Sequence, residues 1–389
     1  MRPGEIYMDY AATTPVDQRV IEAMTECLGR EGDSANPSSS HPPGQRARAR
    51  VEKARAQIAK RVGAAPETIR FTSGATESDN LALLGAMAAH RHRGRHLITS
   101  RLEHKAVLDA AGALQSRGCD VSFVDHDADG VISPDAVEAC IRDDTVLVSI
   151  MHVNNETGVV QDIAAIGERC RRRGVLFHAD AAQSTGKVPL LLDDWPVDLA
   201  SLTAHKTYGP MGIGAIYIRK GVNVQPLIHG GEQEGGLRPG TLATHQIVGF
   251  GEALELADPG REGAQLAERR DRLWNGLSAI EGVRLNGHPT QRSPHVLNVT
   301  FPGVQAESLQ LAVGEVAVST GSACNSDIPE PSHVLSAMGL SDALAAATLR
   351  FSVGRFTTET EIDHVAERMR TEVVRLRDLA RGAPNWTAE

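Results

Sequence analysis

Residues 163–180 read IAAIGERCRRRGVLFHAD, and the pattern changes character at Gly174. Before it, Ile163, Ile166 and Cys170 recur at helical spacing among charged residues, which predicts a helix with one apolar face. After it, VLFHAD is a short apolar run closed by a carboxylate, which predicts a buried strand with Asp180 at its C-terminal end. The same change repeats outward from this stretch. QRARARVEKARAQIAKRVG reads as a helix, TIRFTS as a strand, SDNLALLGAMAAH as a helix and HLITS as a strand. AVLDAAGALQSRG, VSFVD, PDAVEACIR and TVLVSIMHV continue the alternation. Helices that repeatedly separate strands imply crossover units. The fold class is therefore α/β, with a large, mostly parallel sheet covered on both faces.

After about residue 260 the rhythm changes. The charged helix REGAQLAERRDRLWNGLSAI leads into HVLNVTF, ESLQLAVG, VAVST, TLRFSV and a long final helix from Glu359. This predicts a smaller α+β domain. The division expected is a large domain over 16–259 and a small one from 1–15 with 260–389, the arm YMDYAATTP joining the latter.

A chain of 389 residues, 41% hydrophobic and 23% charged, has room for large cores without disulfides or metals. Its net charge of −9 argues against nucleic acid or an anionic membrane as a direct partner. The five cysteines (Cys27, Cys119, Cys140, Cys170 and Cys324) form no CxxC pair, as in a reducing compartment. MRPGEIYMDY has no apolar signal core, and no run is long enough to span a bilayer, so a cytoplasmic location is expected.

Several residues at strand ends could carry chemistry, and each also has an ordinary structural explanation. In FTSGATESDN, Thr76 sits between strand and helix, where backbone N–H groups suit a phosphate; Ser73 or Thr76 could equally cap the helix. His104 in RLEHKAV stands where a helix begins, and Asn155 in HVNNETG follows an apolar strand. Asp180 could hold a protonated ring nitrogen or serve as a cap. Lys206 in TAHKTYGPMGIG could form a Schiff base with an aldehyde or simply sit on a turn. GPMGIG does not match the dinucleotide pattern GxGxxG. The run HRHRGRH at 90–96 sits at a helix end, where basic residues are favourable, and no metal is assigned to it. Five separate structural accounts of Thr76, His104, Asn155, Asp180 and Lys206 are less economical than one shared site at the C-terminal edge of the sheet.

These residues, in this order, resemble the class V aminotransferase group of pyridoxal-phosphate enzymes, and more closely the NifS/IscS cysteine desulfurases. The resemblance runs through YMDYAATTPVD, NPSSSH, SGATESDN, EHKAV, NNETG, DAAQSTGK, HKTYGPMGIG, GGEQEGGLRPGT, GSACNS and LRFSVGR, and so covers nearly the whole chain. It implies the aminotransferase-like fold and pyridoxal 5′-phosphate as cofactor, held covalently by Lys206. It assigns His104 to ring stacking and proton transfer, Asp180 to the ring nitrogen, and Gln183 and Asn155 to the ring hydroxyl. It assigns the phosphate to Ala75, Thr76, Thr203 and His205. Thr241 is similar to the residue that reaches the phosphate of a neighbouring subunit, which implies a homodimer. Arg350 is similar to the arginine that grips the substrate carboxylate, with Asn155 nearby.

The implied reaction converts L-cysteine to L-alanine and moves the sulfur to a second thiol. Cys324 is the candidate, because VSTGSACNSDIPEPS surrounds it with small, polar and turn-forming residues and predicts a loop able to deliver sulfur. The other four cysteines lie in helical or strand patterns and read as structural. The sequence departs from the group at Met211, where a lysine is common, and at Thr203, which replaces a serine but keeps the hydroxyl. The tail RLRDLARGAPNWTAE lacks the apolar, aromatic ending by which housekeeping IscS proteins dock an iron–sulfur scaffold. The sulfur acceptor implied is therefore a partner protein of iron–sulfur assembly, of thiolation or, as for DndA-type enzymes, of DNA phosphorothioate modification. A selenocysteine lyase or another class V lyase or aminotransferase is the alternative, with a non-catalytic assembly partner behind it.

Overall fold

A computed structural model of the chain describes residues 4–320 and 331–382. Cys324 lies outside the described residues. The strands are β1 (Ile6–Tyr7), β2 (Ile69–Thr72), β3 (His96–Ser100), β4 (Asp120–Val124), β5 (Thr145–Ser149), β6 (Leu176–Asp180), β7 (Leu199–Thr203), β8 (Gly214–Ile218), β9 (Arg284–Asn286), β10 (Val296–Thr300), β11 (Val316–Ala317) and β12 (Thr348–Ser352). The helices of the first part are α1 (Gln18–Thr25), α2 (Pro42–Arg61), α3 (Ala75–Asn80), α4 (Ala86–Ala89), α5 (Lys105–Ser116), α6 (Pro134–Cys140), α7 (Ile163–Arg172) and α8 (Thr244–Leu256). Those of the second are α9 (Pro259–Ser278), α10 (Ala306–Ala312), α11 (His333–Ala337), α12 (Asp342–Ala345) and α13 (Glu359–Gly382).

Seven strands form one sheet in the order β2-β8-β7-β6-β5-β3-β4. The run from β7 through β4 is parallel, and β8 is antiparallel to both of its neighbours. Strands β3, β5 and β7 are buried along their whole length, as expected where helices cover both faces. Two apolar clusters, one on each face, fill these layers: Ile98, Val148, Phe177 and Leu202 belong to one, Leu97, Leu147 and Leu199 to the other. Because β4 and β5 lie on opposite sides of β3, the crossovers diverge there and open a crevice at the strand C-termini.

A separate core gathers Leu273, Val299, Phe301, Phe351, Ile362 and Met369 around the antiparallel sheet β12-β10-β9 and helices α9 and α13. The N-terminal arm joins this second body. β1 pairs with β11, Met8 is fully buried in the same core, and Asp9 bridges to Ser352.

Local structure departs from the sequence expectation in two places. SDNLALLGAMAAH is not one regular helix: α3 and α4 flank a π-helical turn at Leu81–Gly85. There the Gly85 carbonyl accepts from Gln225 N at 3.1 Å, and a β-carbon on Gly85 would meet Gln225 O at 2.6 Å. The strand predicted over TVLVSIMHV stops at Ser149, because Met151 N donates instead to the Glu103 carboxylate (2.8 Å).

Candidate active site

The C-terminal edge of the large sheet borders a cavity of about 580 Å3. Its walls come from the connections after β2, β3, β5, β6 and β7, from the arm at 11–13, and from Arg350 of the second body. Ala75, Thr76, His104, Asn155, Asp180, Gln183, Thr203, His205, Lys206 and Arg350 all line it. Thr241 does not; it is exposed on the chain surface ahead of α8.

After β2, Gly74 precedes α3, and no side chain caps that helix. The hydroxyls of Ser73 and Thr76 are therefore not consumed as caps. Glu77 is turned to other work, accepting from Ser73 N at 2.7 Å and from Arg238 Nε at 2.9 Å. β8 runs so close that a β-carbon on Gly214 would stand 2.7 Å from Gly74 Cα, which explains the glycine there.

His104 is both cap and cavity residue. Its Nδ1 accepts the Ala106 N–H at 3.1 Å and so begins α5. Burial lowers its pKa, against the neighbouring Asp180, so the ring is neutral and keeps its proton on Nε2. Asp180, at the end of β6, accepts from Ala182 N at 2.8 Å. Gln183 donates to Ala11 O at 2.8 Å, fixing the arm on the cavity wall.

Lys206 is placed by a strained turn. Tyr208, two residues later, adopts φ +59°, uncommon for a bulky residue. Arg355 stacks 4.2 Å over its ring, and Tyr208 N donates to Thr14 Oγ1 at 2.7 Å. Thr14 Oγ1 in turn donates to His205 O at 2.8 Å. Burial pushes the His205 ring down to about 4, with the Lys206 and Lys187 cations adding to the effect. It is therefore neutral at ordinary pH.

Arg350 reaches the cavity from the middle of β12 and is 6% exposed, so it is no surface arginine. Its Nη2 donates to Asp9 Oδ1 at 2.8 Å and its Nη1 to Asn155 O at 2.8 Å. Nε has no partner among the described residues.

The sequence reading missed several buried polar groups around this cavity. Asp9 holds Arg350, yet YMDY offered no local sign of a partner. Asp79 lines the cavity and Glu103 immediately precedes the lining residue His104, and the two are 1% and 0% exposed. Lys187 is buried behind the arm with Nζ donating to Tyr10 O at 3.3 Å, and burial brings its pKa down to about 7. Met211 lies on the rim, 63% exposed. Among the described residues no group of three metal-ligating side chains gathers anywhere. The 90–96 run is divided, with His96 buried between the Thr145 and Ser122 hydroxyls.

A mostly parallel sheet with a lysine, a neutral histidine and a carboxylate converging at its strand ends defines a cofactor-dependent enzyme of the aminotransferase type. The chain belongs to the aminotransferase class-V family, whose model matches residues 6–365. It is 52% identical to a protein of Proteus mirabilis (strain HI4320) named cysteine desulfurase IscS, over 98% of this chain and 95% of that one. Its fold is similar to the solved structure of a NifS-like protein, with TM-score 0.89, 36% identity and coverage of 95% and 99% of the two chains. It is similar as well to the crystal structure of DndA from Streptomyces lividans, with TM-score 0.76, 42% identity and coverage of 89% and 99%.

The residues present fit the family's cofactor, pyridoxal 5′-phosphate. Asn155 Oδ1, Gln183 Oε1 and Thr203 Oγ1 are buried, belong to residues lining one cavity and have no partner among the described residues, which is the pattern of a wall made for a polar ligand.

Proposed function

We propose that this chain is a cysteine desulfurase that uses pyridoxal 5′-phosphate to convert L-cysteine to L-alanine and passes the sulfur to Cys324. The observation that carries this reading is the single cavity joining Lys206, His104 and Asp180 of the large sheet with Arg350 of the second body. Lys206 would hold the cofactor, with Asp180 at the ring nitrogen, His104 against the ring, and Asn155 and Gln183 at the ring hydroxyl. Ala75, Thr76, Thr203 and His205 would hold its phosphate. When bound, the cofactor supplies an electron sink that makes the substrate Cα proton acidic and the Cβ–S bond cleavable.

The chain's own residues do the rest. Arg350 offers a planar, pre-positioned guanidinium to the substrate carboxylate, its other edge fixed by Asp9 and the Asn155 carbonyl. The Lys206 amine takes the Cα proton. His104, neutral and with Nδ1 engaged in the cap, presents a proton on Nε2. The sulfur leaves Cβ for the Cys324 thiolate; L-cysteine and one protein thiol become L-alanine and one protein persulfide, so atoms and electrons balance. The surroundings of Cys324 in sequence, GSACNS, support its assignment as acceptor.

The exposed Thr241 supports a homodimer in which each copy contributes that residue to the other's phosphate site. The two cores support a large domain over 16–259 and a small one from 1–15 with 260–389. The final sulfur acceptor is a partner protein of iron–sulfur assembly, of thiolation or of DNA phosphorothioate modification. No helix among the described residues is long and apolar enough to cross a membrane, and a cytoplasmic setting fits the thiol chemistry.

The test is alanine and sulfide release from L-cysteine by the wild type, Lys206→Ala and Cys324→Ala. Loss of alanine formation in Lys206→Ala and loss of protein persulfide in Cys324→Ala are expected. Sulfide release by Cys324→Ala at the wild-type rate, without added thiol, overturns the assignment of the acceptor. Turnover of L-selenocysteine alone would favour the lyase instead.

A further inference from the structure

The loop at 232–241 is partly open to water, yet it is tied to the large sheet at several points. Within it Glu234 adopts φ +51°, and Tyr208 is the one other non-glycine residue with a positive φ among the described residues. Such a conformation persists only where the surroundings over-determine it. The Glu234 side chain is 2% exposed and grips Arg55 of α2 with both oxygens, at 2.8 Å each. One of those oxygens also accepts the Phe71 N–H at 2.8 Å, and Arg55 donates to Ile69 O at 2.8 Å. Because β2 is an edge strand, this buried pair supplies partners that a further strand would otherwise give. Four residues on, Arg238 returns to the border of the cavity. Its Nε donates to Glu77 Oε1 at 2.9 Å and its Nη2 to Glu77 Oε2 at 3.4 Å. The same Oε2 accepts the Ser73 N–H at 2.7 Å. Glu77 lines the cavity beside Ser73, Ala75 and Thr76, and Arg238 does not.

We propose that Arg238 is a positioning residue for the turn at 73–76: it holds Glu77 against the Ser73 amide and cancels its charge, so that the turn can receive the cofactor's phosphate. The proposal rests on the reading that Ala75 and Thr76 hold that phosphate. Glu77 does two opposed things there. As an acceptor it fixes the Ser73 N–H and so the backbone that leads through Gly74 into α3. As an anion on the wall it repels a phosphate, which carries nearly two negative charges at neutral pH. Burial works against its charge, but the Arg238 and Ser73 bonds outweigh burial and hold the carboxyl below its usual range. Glu77 is therefore ionised, and Arg238 leaves the acceptor in place while removing the repulsion. Arg55 and Glu234 fix the loop from which Arg238 reaches, so the guanidinium is in position before any ligand arrives.

The experiment strips the full chain of cofactor and titrates it with pyridoxal 5′-phosphate and, separately, with pyridoxal, which lacks the phosphate. The variants are Arg238→Ala, Arg238→Lys and the double variant Arg238→Ala/Glu77→Gln. Arg238→Ala should bind pyridoxal 5′-phosphate about tenfold more weakly and pyridoxal within about threefold of wild type, since only the phosphate meets the bare carboxylate. Arg238→Lys keeps a cation beside Glu77 and should stay within about threefold for both ligands. Glutamine removes the charge and keeps an oxygen for the Ser73 N–H. The double variant should therefore recover to within about threefold of wild type, although it lacks both members of the ion pair. Equal losses for the two ligands in Arg238→Ala, no loss for either, or a double variant as weak as Arg238→Ala alone overturns the proposal while the phosphate reading stands. A wild type that binds pyridoxal 5′-phosphate no better than pyridoxal overturns that reading, and the proposal with it. Should Arg238→Ala not fold, Arg238→Met, which keeps the stem without the charge, takes its place in both comparisons.

Discussion

Replacing Arg350 by lysine separates what this residue does for the substrate from what it does for the fold. Arg350 is 6% exposed and bonds Asp9 and the Asn155 carbonyl, so full truncation removes the proposed substrate contact and also strands a largely buried carboxylate. Stranding Asp9 sets a stability loss of about 3 kcal/mol for Arg350→Ala, the low end for a broken buried pair because the Asp9 side chain keeps 22% exposure. Arg350→Lys keeps a cation beside Asp9 and should stay within about 1 kcal/mol of wild type in urea unfolding. What it loses is the second arm of the planar fork. One charge-assisted hydrogen bond to a carboxylate is worth about 1.5–3 kcal/mol, which corresponds to a rise in KM for L-cysteine of roughly 10- to 150-fold. Alanine formation at saturating cysteine should fall much less, since the contact exists before and during the reaction alike. Initial rates over a wide cysteine range, alongside urea curves, measure both quantities. A KM within threefold of wild type in a stable Arg350→Lys protein refutes the assignment of Arg350 to the substrate carboxylate.

Three further outcomes follow from the buried groups. Lys187 holds its proton to about pH 7 folded, against a usual 10.5, so the unfolded chain carries the extra proton between these values. Stability should therefore rise with pH across that window by up to about 1.4 kcal/mol per unit from this residue, and Lys187→Met should lose that slope in urea unfolding. Glu156 shows the opposite sign: burial lifts it from 4.5 to about 7, opposed by the Ser332 hydroxyl, so the fold keeps its proton and stability falls as pH climbs from 4.5 to 7. Glu156→Gln should flatten the thermal-melt profile over that range. Gly214→Ala would place a β-carbon 2.5 Å from Leu202 O and 2.7 Å from Gly74 Cα. It should cost about 1–3 kcal/mol and weaken the response of the melting temperature to added pyridoxal 5′-phosphate, because Gly74 leads into the turn proposed to hold the phosphate.

Much of the sheet and half of the cavity were legible in the chain itself, because both depend on local order. Helix and strand periodicities are written within a dozen residues, as in 163–180, and strand ends are where a parallel sheet opens its crevice. Thr76, His104, Asn155, Asp180 and Lys206 could thus be placed at one edge before any contact was known, and all five line the cavity. His104 shows that the structural and chemical readings of a residue need not compete, since one ring nitrogen caps α5 and the other carries the proton.

Tertiary structure decided which polar groups are buried and against what. Asp9 and Arg350 stand 341 residues apart in sequence, and no local pattern pairs them. Asp79 reads as one more polar residue in TESDN until α3 packs on β7 and removes it from water. Lys187 likewise reads as solvated until the arm closes over it. Periodicity fixes which residues form an element, whereas charge state depends on desolvation and distant neighbours, and those exist only once the elements have packed.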